Sequence, residues 1–149
     1  MTDQVYGYAL FCDDIRQEVG GKQTLVGLYT GGMSVQGKSP VVIPLFSALL
    51  NLVLPIDLDF NRVEFKLIKE LDDQSVDIFA AHTEEAKAQL VSRLDGVAPP
   101  EKLMAQIPVR MGNFVAEDGA RIKARAFVDG REVRLGTLHI SFSEIEHST

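Results

Sequence analysis

The chain has 149 residues, 46% of them apolar and 24% charged, which suits one globular domain (1–149) with its own core and excludes a mostly disordered chain. The net charge of −6 lacks the excess of Lys and Arg that general nucleic-acid binding needs, and a single cysteine, Cys12, cannot form an internal disulfide. Met1 to Gln4 do not have the basic-then-apolar order of a secretory signal. The longest uncharged run, Ser39 to Ile56, is interrupted by Pro44 and Pro55 and falls short of the roughly 20 apolar residues of a membrane helix. The expectation is a cytoplasmic domain with no membrane partner.

Val5 to Leu10 is aromatic and aliphatic and predicts a strand; Gln23 to Thr30 predicts another after the Gly20-Gly21 break. Between them the chain turns abruptly polar, Cys12-Asp13-Asp14-Ile15-Arg16, and ends on Gly21-Lys22. A phosphate loop requires a glycine where Arg16 stands and a Ser or Thr where Gln23 stands, so that reading fails. A nucleophilic site would join Cys12 to Asp13, Asp14 and His82 or His139, but a cysteine in an apolar run acts as a small hydrophobe, and no catalytic set is assigned. In an extended strand Cys12, Asp14, Arg16 and Glu18 share one face. Asp14, Arg16 and Glu18 then form a charge ladder, and Asp13 is left on the apolar face, where it needs a backbone N–H or an Arg as partner.

Val41 to Ile56 follows, with Leu45, Leu49 and Val53 on one face and Phe46, Ala48, Leu50, Leu52 and Leu54 on the other. A strand that is apolar on both faces needs a second cover. Three arrangements supply one: a helix inserted later in the chain, another subunit contacting Leu50, Leu52 and Leu54, or a helical 45–53 begun by Pro44. Asp57 and Asp59, then Asp72 and Asp73, are acidic pairs in turn-like segments. Convergence of such loops would make a Ca²⁺ site, against the commoner role of Asp as a turn residue. Residues 62–80 alternate about Leu71-Asp72-Asp73-Gln74 and predict a hairpin.

Thr83 reads as the N-cap of a helix near 84–94, with Ala86, Leu90 and Leu94 on one stripe, stopped by Asp95-Gly96 and Pro99-Pro100. Leu103 to Val115 reads as a long strand in which Pro108 implies an edge position or an irregularity. Near the C-terminus Asp129-Gly130 predicts a two-residue turn that sets Ala126 opposite Val133 and Ala124 opposite Leu135. The apolar set then shifts, which calls for a bulge at Gly136-Thr137. Arg121, Lys123 and Arg125 form a basic stripe with Arg131 and Arg134 close by, read as a solvated face diluted by Glu117, Asp118, Asp129 and Glu132. His82, His139 and His147 have no metal-ligand spacing.

The run Tyr8 to Arg16, followed by Gly21-Lys22-Gln23-Thr24-Leu25-Val26-Gly27-Leu28-Tyr29, resembles the opening signature of a family of uncharacterised bacterial and phage proteins. In that signature a Cys-Asp strand with a nearby Arg precedes a Gly-Lys turn and a Leu-Val-Gly-x-Tyr strand. The resemblance covers residues 8–30, implies a small β-sandwich and supplies no activity. The whole predicts a mainly-β fold, an antiparallel β-sandwich of about seven to nine strands with one inserted helix near 84–94; a barrel is the other way to close it. Its expected function is non-enzymatic and rests on protein–protein contact, as a homo-oligomer or an accessory module. A calcium- or small-ligand-binding sandwich is the alternative.

Overall fold

In the computed structural model, which describes residues 4–94 and 100–144, ten strands and one short helix follow in order. They are β1 (Tyr6–Cys12), β2 (Asp14–Gln17), β3 (Gln23–Val26), β4 (Met33–Gln36), β5 (Val41–Pro55), β6 (Val63–Leu71), β7 (Gln74–Thr83), α1 (Ala86–Ser92), β8 (Lys102–Ala116), β9 (Arg121–Val128) and β10 (Arg131–Ser143). The fold is mainly β and sandwich-like, as the alternation predicts. A three-stranded sheet, β1–β5–β8, faces a five-stranded sheet, β4–β10–β9–β6–β7, and β2–β3 form a separate ribbon. All pairs are antiparallel except β4 with β10, which run parallel.

The core lies between the two sheets. Phe46, Ala48, Leu50, Leu52 and Leu54 of β5 meet Phe65 and Leu67 of β6 and Ile122, Ala124 and Ala126 of β9. Phe46 is the aromatic hub, with Phe114 stacked at 4.5 Å and Phe11 at 6.1 Å between ring centroids. On one side of the sandwich β1 packs directly against β10. Gly7 makes this approach close: a Cβ there would stand 2.3 Å from the Asn51 carbonyl oxygen and 2.4 Å from Leu135 Cδ2.

Both predicted hairpins form. Asp72 and Asp73 join β6 to β7 with φ of 51° and 61°, and Asp129 and Gly130 join β9 to β10 with φ of 48° and 86°. Positive φ at both central positions is what a two-residue turn of the right twist demands. Ala126 faces Val133 as predicted. The bulge comes one residue early, at Leu135, so Ala124 faces Gly136 instead of Leu135. Pro108 lies in β8, which is an edge strand.

The helix is shorter than predicted and is not capped by Thr83, which pairs with Val63 as the last residue of β7. Glu85 turns the chain with φ 52°, and Asn61 receives the new helix: its carbonyl accepts from Ala86 N at 2.7 Å and its Oδ1 from Glu85 N at 3.2 Å. A stop at Asp95-Gly96 and Pro99 lies outside the described residues. Helix α1 does not cover β5. It contacts β8, and between it and the β6–β7 hairpin lies a cavity of about 120 Å³.

Candidate interaction surface

β5 is a strand through its whole length, which removes the helical alternative for 45–53. Leu50, Leu52 and Leu54 are 0% exposed because they fill the space between the two sheets. As interface candidates they are therefore corrected: the monomer's own core has already taken them, and no subunit can reach them.

The opposite face of β5 needs the second cover. Register places four rows across the outer face of β1–β5–β8: Tyr6, Val53 and Met104; Tyr8, Asn51 and Gln106; Leu10, Leu49 and Pro108; Cys12, Ser47 and Arg110. The β2–β3 ribbon folds over the last two rows. Ile15 and Leu25, paired in the ribbon, join Cys12, Leu49 and Leu10 in a small second core. The alternation of 11–18 predicts one unbroken strand through Asp13 and so no such cover. The chain bends there, so Cys12 and Ile15, on opposite faces of an extended strand, enter the same cluster.

The bend is clasped by Asp13, Gly27 and Tyr29. Asp13 N donates to the carbonyls of Val26 (2.9 Å) and Gly27 (3.2 Å), and the Tyr29 hydroxyl donates to Asp13 Oδ1 at 2.7 Å. A Cβ on Gly27, whose φ is 71°, would stand 2.2 Å from Asp13 Oδ2, so this glycine makes room for the carboxylate. Asp13 is exposed, not buried, and its side-chain partner is a phenol rather than an Arg or a backbone N–H. Asp14 accepts from Ile15 N at 2.8 Å and lies between Arg16 (3.7 Å) and Arg110 of β8 (3.0 Å), so of the expected ladder Asp14 and Arg16 pair, while Arg110 rather than Glu18 is the third member. Burial, then the hydrogen bond and charge of Asp13, push the Tyr29 phenol well above its ordinary value. Burial, then Asp13 and Asp14, likewise push the Cys12 thiol up, holding it in the non-nucleophilic form.

The first two rows carry no ribbon. Tyr6 is 47% exposed, Tyr8 42% and Met104 49%, and they flank Val53 and Asn51, which their neighbours bury. Asn51 is satisfied inside this face: Gln106 Nε2 donates to its Oδ1 at 2.6 Å, and its Nδ2 reaches the Tyr8 and Leu49 carbonyls at 3.4 Å. The Lys102 ammonium sits 5.2 Å from the Tyr6 ring centroid. The result is a fixed patch of two phenols, a thioether and an amide on the sheet.

The acidic candidates do not converge. Asp57 and Asp59 lie in the loop before β6, whereas Asp72 and Asp73 form the turn after it, so nine strand residues, about 27 Å, separate the pairs. Asp59 pairs with Lys87 at 3.4 Å. Among the described residues no group of three or more His, Cys, Asp or Glu is placed to hold a metal ion. A cleft of about 780 Å³ opens beside Asp59, Asp129 and Glu132, but each carboxylate has a partner. Asp129 accepts from Asn61 N and Arg62 N, and Glu132 pairs with Arg125 at 3.1 Å. The basic stripe is likewise paired with acids. Arg121 and Lys123 both bind Glu70 of β6, a neighbour that separation in sequence concealed. His82 and His139 are exposed on β7 and β10, and His147 lies outside the described residues.

No protein-family model matches the chain. No curated protein matches it either. Among the described residues no helix is long and apolar enough to cross a membrane.

Proposed function

We propose that this protein is a non-enzymatic β-sandwich that acts by protein–protein contact, and that the contact surface is the uncovered end of the outer face: Tyr6, Tyr8, Met104 and Gln106. The observation that supports it is the concentration of exposed aromatic and thioether side chains on a rigid sheet, beside a half-face that the chain covers with its own ribbon. Tyr and Met are enriched at interface centres, and Tyr loses little side-chain freedom on binding. The resemblance over residues 8–30 adds membership of the bacterial and phage sandwich family to this proposal; the residues that carry it fasten the ribbon.

The test is site-specific photo-crosslinking from position 8, with position 134 on the other sheet as control, followed by binding of the purified crosslinked protein. Saturable binding lost in Met104→Glu and kept in Arg134→Glu is expected. Binding that survives Met104→Glu and is lost in Arg134→Glu overturns the assignment.

A further inference from the structure

An open sheet edge offers unpaired backbone groups to any other strand, and proteins blunt such edges with short strands, prolines, positive charges or bulges. Three edges here are protected. β1 packs against β10. β8 carries Pro108, Lys102 and Arg110, and Asn113, with φ 53°, interrupts its ladder between Gly112 and Phe114. β4 is only four residues long. β7 is different. It is ten residues long, pairs only with β6 among the described strands, and holds no proline, lysine or arginine. Its one acid, Asp77, already leans on Lys66 of β6 at 3.1 Å. Val76 is 57% exposed, and Ala80 is exposed as well. Among the described residues its protective features are the extra residue Ile78, which leaves Phe79–Thr83 as a regular run, and helix α1, which lines a cavity with Ala81 and Thr83.

We infer that β7 pairs antiparallel with β7 of a second copy, joining two five-stranded sheets into one continuous sheet across a two-fold axis. A second copy is the occupant because it supplies the same unblunted edge, and a two-fold pairing consumes both edges and stops growth at the dimer. Charge excludes one register. Within the strand, like charges oppose only when Asp77 faces Asp77, which is unfavourable. An axis at Ala80 avoids this: Asp77 then faces Thr83, and Phe79 faces Ala81. Phe79 and Ala81 are the residues opposite core-facing Leu67 and Phe65 on β6, so the apolar sides of the two copies continue one another. This surface is independent of the Tyr6–Met104 patch.

The experiment is light scattering on a sizing column over a range of concentrations, with hydrogen exchange of the β7 amides on the same samples. The expected wild-type mass is twice 16.4 kDa, falling to the single value in Ala80→Lys, which sets two lysines face to face. Met104→Glu stays dimeric. Amides of 77–83 gain protection as wild-type concentration rises, a readout that does not depend on any variant folding. A wild-type mass of one chain at every concentration overturns the pairing. So does exchange in β7 that ignores concentration, or an Ala80→Lys protein that remains dimeric. Dissociation by Met104→Glu would move the interface to the outer face and also sink the β7 assignment.

Discussion

The two ends of the outer face of β1–β5–β8 are built from the same three strands and end differently. At one end Cys12 and Leu49 lie beneath Ile15 and Leu25, and Asp13, Gly27 and Tyr29 hold the ribbon down. At the other end Val53 and Asn51 are flanked by their strand neighbours, and Tyr6, Tyr8 and Met104 are exposed. A sheet face can be closed by the chain itself, but that takes a bend, a glycine that admits a carboxylate, and a phenol to bind it. Where those are absent, amphipathic side chains stand in for a cover. They tolerate water and retain a surface that a partner can bury.

The largest expected effect tests the inner face against both ends of the outer one. Leu52→Lys puts an unpaired ammonium between the sheets and should remove cooperative folding, a loss of more than about 4 kcal/mol in a denaturant melt. A folded Leu52→Lys protein would show that the core is not where it is placed. Next is Gly27→Ala, which drives a methyl into Asp13 and strains a positive φ, for a loss of about 1–3 kcal/mol. Faster amide exchange in Asp14–Val26 with little change in β9 would confirm that the damage stays in the ribbon.

Tyr29→Phe removes one hydrogen bond and should cost about 0.5–1.5 kcal/mol near neutral pH. It also tests the clasp by pH. The folded state holds the protons of Tyr29 and Cys12 more tightly than the unfolded state, whose ordinary values are 10.0 and 9.0. That stability is present below these values and lost as pH rises beyond them. Melting temperature should therefore decline from about pH 9 upward, less steeply in Tyr29→Phe; equal slopes would separate Tyr29 from the alkaline decline. The smallest effect belongs to the bare end. Met104→Glu, at a half-exposed position, should change stability by no more than about 0.5 kcal/mol while abolishing partner binding. A large loss of stability would mean that Met104 is part of the packing rather than of a contact surface.

Much of the scaffold was legible because strand and turn signals are local. The period-two runs in 62–80 and 121–142, the Asp129-Gly130 turn and the edge position or irregularity implied by Pro108 all rest on residues within a few positions of one another. The α1 start was misread because Thr83 has good N-cap chemistry, yet its backbone is committed to Val63, twenty residues earlier. Glu70 was not matched with Arg121 and Lys123 for the same reason: the β6–β9 pairing that joins them spans some fifty residues.

The candidate surface follows this division. A mainly-β fold, the apolar character of both faces of β5 and the turn residues of the hairpins are all written in local sequence pattern. Hydrophobic alternation and backbone preference act over short stretches and survive outside any fold. Long-range packing selects which face of β5 becomes core, brings the ribbon rather than α1 over the other, and leaves Tyr6, Tyr8 and Met104 exposed. Those outcomes depend on strand order and on the bend at Asp13. Strand order is chosen by the packing of distant segments against one another, and one residue's bend is enough to change which side chains meet.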